Sequence, residues 1–189
     1  MTDEINEYKQ LEGVTKYLDS VNNYLHMIDD SESKIKKEAK ELNDFLNDLD
    51  KQYHNYETYG IDYKKNTKPQ EVTLYTLDCL DKGFDNFSEG CAIFDKKING
   101  SLDEMRDLQS SIKRNMGKFI SQGFQEEIKT INEKINSKIV FYSKKSDEFE
   151  PIKNGREDLV AYIKHVKQRD AKLQTELAGK KKRIFGKEL

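Results

Sequence analysis

The sequence predicts an all-α fold: an elongated antiparallel three-helix bundle or coiled coil with long, kinked helices. Three observations predict it. Apolar residues recur at alternating steps of three and four along most of the chain, the spacing that gathers them on one stripe of a helix. Of 189 residues, 35% are hydrophobic, 36% are charged and only two are proline. That is little apolar material for a compact globule, but enough for helices that each bury one stripe and solvate the rest. Two short polar breaks divide the pattern into three segments of similar length. The regular spacing also argues against disorder, the competing reading of so much charge.

The first helix is expected over about 11–63. Leu11, Val14, Leu18, Val21, Leu25, Ile28, Ile35, Ala39, Leu42, Leu46, Leu49, Tyr53, Tyr56 and Tyr63 carry its stripe, interrupted at Glu32 and Gly60. The tyrosines fit core spacing, with their hydroxyls reaching the rim. The opposite side is charged, from Lys34 to Asp48. Residues 1–10 are acidic and polar and are expected to be a flexible N-terminus, with the wrong chemistry for a signal peptide.

The stripe stops at Lys64–Glu71, where Pro69 suits the first turn of a new helix and Thr67 could cap it. A turn is the preferred reading and a kink in one longer helix the alternative. The second helix is expected over about 71–121, on Leu77, Leu80, Phe84, Phe87, Cys91, Phe94, Ile98, Leu102, Met105, Leu108, Ile112, Met116 and Phe119. Gly83, Gly90 and Gly100 inside it point to bending, close packing or a break near Asn86–Gly90. Cys79 and Cys91 both read as buried free thiols in a reducing compartment rather than a disulfide.

Gly123 reads as a left-handed helix stop. The third helix is expected over about 125–179, with an acidic first turn and a stripe through Ile128, Ile131, Ile135, Ile139, Tyr142, Phe149, Ile152, Leu159, Ile163, Val166, Leu173 and Leu177. Pro151 lies within it. Because the stripe continues on both sides, one bent helix is expected rather than two. Each segment is about 50 to 58 residues and on the order of 75–85 Å long. Together they are expected to form one rod over 11–183 with a shared core, followed by a fraying tail, 184–189.

Lys and Arg number 33 and Asp and Glu 35, a formal charge of −2, which speaks against a nucleic-acid binder. No apolar run is long enough to span a bilayer. His26, His54 and His165 have no companion ligands at metal spacing, and phosphate loops, nucleophile elbows and paired catalytic carboxylates are absent. No enzyme, cofactor or metal is therefore expected.

Basic residues do cluster. Lys64, Lys65 and Lys68 lie at the first turn, and Lys113, Arg114 and Lys118 precede the second. Lys144 and Lys145, then Lys153 and Arg156, flank Pro151, and Lys180, Lys181, Lys182 and Arg183 follow the third helix in the tail. Antiparallel connections would bring the first and last groups to one end of the rod. Each cation near an anionic leaflet contributes about 1 kcal/mol, so these are the candidate membrane-binding residues. Ordinary solubilising charge is the alternative.

Three long kinked helices with basic patches resemble the BAR-domain superfamily. Glu148-Phe149-Glu150-Pro151-Ile152, followed by Leu159-Val160-Ala161-Tyr162-Ile163, Val166-Lys167 and Arg169-Asp170, is similar to a segment of sorting-nexin BAR regions. The spacing of Lys144-Lys145 to Phe149 is similar to the Arf-GAP-associated BAR type. The resemblance covers roughly residues 11–183. It implies a crescent-shaped homodimer, cytoplasmic and peripheral to membranes, that binds and senses or shapes curved anionic phospholipid through the basic residues above. In that setting Pro151 and the second-segment glycines would set the curvature. The near-neutral charge and acidic N-terminus depart from the family pattern. The alternative is a coiled-coil adaptor or tether whose stripes bind helical protein partners without touching lipid.

Overall fold

The computed structural model describes residues 2–59 and 69–185. Three helices account for them: α1 (Thr2–Tyr59, 58 residues), α2 (Pro69–Ser121, 53 residues) and α3 (Gln125–Phe185, 61 residues). The described residues contain no strand. The expected turn around Lys64 and the capping role of Thr67 lie outside the described residues, as do the last residues of the expected first helix. α2 opens on Pro69, the residue type whose missing N–H costs nothing at a helix start.

Two expected boundaries are corrected. Residues 1–10 are not a separate arm, since α1 starts at Thr2. Glu7 is buried beside Lys118, and the Tyr8 ring lies 6.1 Å from that of Phe124. Contacts of this kind hold a helix start that propensity alone would let fray. At the other end α3 runs to Phe185, beyond the expected stop at 179.

The turn between α2 and α3 forms as its sequence dictates. Gly123 takes a φ of 87°, the left-handed conformation that a Cβ would penalise. Its N–H donates to the Ile120 carbonyl at 3.1 Å and the Phe124 N–H donates to Phe119 at 3.1 Å. These two bonds make a Schellman cap and satisfy carbonyls that the end of α2 would leave open. Glu126 and Glu127 then sit in the first turn of α3, where the helix dipole favours acid.

By its internal contacts the chain divides into two compact units. One comprises Met1–Lys34 with Cys91–Pro151, the other Ile35–Gly90 with Ile152–Leu189. Both draw on all three helices, and the divisions fall beside Gly90 and Pro151. Pro151 lies inside α3, which continues through it as a single helix.

In unit one, Leu11, Leu18 and Ile28 of α1 are buried with Phe94, Ile98 and Met105 of α2 and Ile131, Ile135 and Phe149 of α3. The Phe94 and Phe149 rings stand 4.6 Å apart and tilted, a favourable aromatic geometry. Here α1 and α3 run parallel, because their contacts rise together: Asp19 with Lys134, Asn22 with Lys138, Glu32 with Lys145. α2 runs against α1, pairing Lys118 with Glu7 and Glu104 with Tyr17.

Unit two repeats this order. Leu42, Leu46, Leu49 and Tyr53 of α1 are buried with Leu80 and Phe87 of α2 and Leu159, Ile163 and Val166 of α3. A Cβ at Gly83 would lie 3.2 Å from Leu42 Cδ2, and one at Gly90 would lie 3.6 Å from Ile35. Gly83 therefore serves close packing of α2 on α1, whereas a Cβ at Gly90 would meet its neighbour at ordinary contact distance. Cys91 is buried as expected, but Cys79 is exposed. The stripe at this point runs through Leu80, which leaves its neighbour outside.

Candidate interaction surface

Three of the candidate membrane-binding cations make ion pairs within unit one, and one of them is buried. Lys145 sits at a core position of the α3 heptad, between Tyr142 and Phe149. Its side chain is only 14% exposed, and Nζ donates to Asp29 Oδ1 at 2.6 Å, Glu32 Oε2 at 2.7 Å and Glu148 Oε2 at 3.3 Å. Burial alone pulls its pKa down. The hydrogen bonds from these carboxylates more than offset that and hold the ammonium above its ordinary value. Lys144 pairs with Glu148 at 3.6 Å, and Lys118 lies against the buried carboxylate of Glu7. Of these candidate membrane-binding residues, Lys145 is held inside unit one by carboxylates of its own chain, whereas the Lys118 and Lys144 side chains stay largely exposed beside their partners.

The remaining predicted cations are scattered. Lys113 and Arg114 are exposed, and the Arg114 Nε–H donates to the Ser110 carbonyl. Lys153 is exposed and Arg156 half-buried, but both belong to unit two while Lys144 and Lys145 belong to unit one. Lys180 is exposed. Lys64, Lys65 and Lys68 lie outside the described residues, as do the side chains of Lys181, Lys182 and Arg183, although α3 includes those three positions.

Sequence reading missed the polar links between α1 and α3. In unit one Lys134 reaches Asp19 at 2.6 Å, and Lys138, only 1% exposed, donates to Asn22 Oδ1 at 2.8 Å. Burial lowers the pKa of Lys138. The expected core residue here was Ile139, which is half-buried. The repeat through Ile131, Ile135 and Tyr142 in fact selects 138, where the long aliphatic stem of lysine packs and only its tip needs a partner. In unit two Arg169 clasps Glu57 with two bonds, at 2.7 and 3.3 Å, contacts Asp50 and lies 5.9 Å over the Tyr53 ring. The bond from Arg169 holds Glu57 below the usual carboxylate range. Tyr53 donates its hydroxyl to the buried Asp170 at 3.3 Å. In the ion pairs among these links, Lys134 with Asp19 and Arg169 with Asp50 and Glu57, α1 supplies the acids and α3 the bases.

The side of α1 turned to α2 in unit one is different. Gln10, Gly13, Tyr17, Ser20, Tyr24, Met27 and Ser31 follow one another at steps of three and four with no charge among them. They form a second stripe beside the buried one, about 33 Å long. Tyr24 is 61% exposed, Met27 47% and Tyr17 36%. A groove of about 420 Å³ runs between α1 and α2 here, lined by Leu11, Val14, Tyr17, Leu108, Ile112 and Phe119 among others. Burial and the adjacent Glu104 carboxylate push the Tyr17 phenol up to about 12. In a chain with 36% charged residues, an uncharged face with exposed aromatic and thioether groups is the surface best suited to another helix.

Among the described residues, no group of three His, Cys, Asp or Glu could hold a metal ion, and no helix is long and apolar enough to cross a membrane. Comparison with protein-family models, curated proteins and solved structures finds no match.

Proposed function

We propose that the chain is a non-catalytic helical module that acts by pairing with another helix, an adaptor or tether, through the uncharged face of α1 in unit one. The observation that carries this reading is the uncharged stripe from Gln10 to Ser31, on which Tyr24 and Met27 stand exposed and Tyr17 lines a groove against α2. A covering helix would bury this surface at roughly 25 cal/mol per Å² with no charge to desolvate. The test places an environment-sensitive bimane at Tyr24→Cys in a Cys79→Ser background and titrates in a synthetic Leu/Lys heptad peptide. A blue shift on adding peptide, or on raising the concentration of the chain itself, supports the reading. A label that stays solvated under both conditions refutes it.

A second reading is a BAR-like dimer on curved anionic membrane. It is favoured by the matched lengths of the three helices and by the exposed Lys113 and Arg114. It is weakened by the engagement of Lys145 with carboxylates of its own chain.

A further inference from the structure

The uncharged α1 face has a pattern that identifies its occupant. We infer that it is the same face of a second copy, packed antiparallel with Tyr17 of one protomer opposite Ser20 of its partner. This rests on the reading of that face as a helix-pairing surface and adds to it the identity of the other helix.

The argument is one of size and charge. Antiparallel packing alternates the two kinds of stripe position across the interface. Counting outward from the Tyr17–Ser20 layer, the register sets Gly13 against Tyr24 and Gln10 against Met27. Both tyrosines thus meet a small residue, as interdigitated packing requires. Gly13 has nothing within 4 Å of the place where its Cβ would be, so the space it leaves is open to a partner side chain. Along the outer flank Lys9, Lys16, Asn23 and Asp30 are all exposed. The same register brings Lys9 of one copy near Asp30 of the other, twice by symmetry, and Lys16 near Asn23.

The alternatives fail on the same residues. A parallel in-register pair would oppose Tyr17 to Tyr17, Tyr24 to Tyr24, Lys9 to Lys9 and Asp30 to Asp30, crowding the large side chains and repelling the like charges. A foreign helix could fill the groove, but nothing requires it to carry Lys9 and Asp30 at matching distances from the centre. The pairing inferred here is side by side along one helix, unlike the pairing through one end of a rod that the BAR resemblance implies. A contact about 33 Å long and roughly 10 Å wide covers well under the roughly 800 Å² per partner of a standard stable complex, so association on the order of micromolar is expected.

Sedimentation equilibrium of the full chain, followed by disulfide trapping in a Cys79→Ser background, tests this. The chain is expected to dimerise reversibly, and Tyr24→Glu with Met27→Glu to shift dissociation at least a hundredfold while helicity is retained. A Tyr17→Cys variant mixed with a differently tagged Ser20→Cys variant is expected to form the mixed disulfide in preference to either homodimer. A monomer at all concentrations overturns the inference, and a dominant Ser20→Cys homodimer overturns the antiparallel register. If the chain stays monomeric while the bimane-labelled face still takes up the heptad peptide, the helix-pairing function stands and only the second copy is refuted.

Discussion

Lys145 of α3 and Glu32 of α1 meet at 2.7 Å in the interior of unit one, each occupying a heptad position that ordinarily holds a leucine or isoleucine. The pair is also hydrogen-bonded to its surroundings, through Asp29 and Glu148. A buried ion pair gains little over two apolar residues, but losing one partner strands the other charge. Lys145→Ala is therefore expected to lower stability by about 3 kcal/mol. The double change Lys145→Met with Glu32→Leu is expected to restore or exceed the original value. Urea unfolding followed by circular dichroism measures both, and a double variant no better than the single one would contradict the assignment.

Lys138 has a weaker claim to its place. Its ammonium is buried with a neutral amide, Asn22, for a partner, and burial depresses its folded pKa below the ordinary 10.5. Between the folded and unfolded values the unfolded chain binds more protons, so this residue makes stability rise with pH in that range. Below the folded value the cost of burying the charge is present in full. Lys138→Met is accordingly expected to stabilise the chain at neutral pH by about 1 kcal/mol and to remove that alkaline rise. Denaturation midpoints measured from pH 7 to 10 report both effects.

Tyr17 titrates in the opposite sense. Its folded pKa, pushed up to about 12 by burial and by Glu104, exceeds the ordinary 10.0. Above pH 10 the unfolded phenol ionises first, so the folded state binds more protons and stability falls as pH rises towards 12. A Tyr17→Phe variant should show a shallower alkaline decline, seen as a smaller drop in Tm between those pH values.

The glycines divide by what surrounds them. A Cβ at Gly100 or Gly117 meets nothing within 4 Å, whereas one at Gly83 meets Leu42 at 3.2 Å. Gly100→Ala and Gly117→Ala are each expected to add up to about 1 kcal/mol, the difference in helix propensity. Gly83→Ala should gain less or lose stability, because the close approach of α2 to α1 is disturbed. Equal gains at all three sites would contradict the packing described for Gly83.

The helices were legible because heptad spacing is a one-dimensional signal. From Leu11 to Tyr53, and again from Ile128 to Leu173, residues that keep the spacing and are apolar are buried or half-buried at nearly every step. Gly123 was legible for a different reason, since only one backbone conformation suits a glycine at that point. What the sequence hid was polar. Reading the stripe by hydrophobicity treated Glu32 as an interruption, passed over Glu7 and Asp170, and moved from Lys138 to its apolar neighbour Ile139. Counting position instead of polarity assigns all four polar residues to the core. Lys145, read from the sequence as one of a basic cluster, likewise occupies a core heptad position. A cluster of lysines looks alike in sequence whether its partners are lipid phosphates or the carboxylates of another helix more than a hundred residues away. The uncharged face of α1 was hidden too, because its stripe includes Gln10, Gly13 and Ser20, which no hydrophobic count collects.

Lys134, Lys145, Lys167 and Arg169 use their charge to join the chain's own helices, and we propose the uncharged α1 face, not the remaining cations, as the outside contact. Co-sedimentation with phosphatidylserine-rich vesicles at low salt, where surface electrostatics are least screened, tests that division most directly. The chain is predicted to remain in the supernatant, and a Lys113→Glu, Arg114→Glu variant to behave the same way. Pelleting that fades with added salt and disappears in that variant would contradict it.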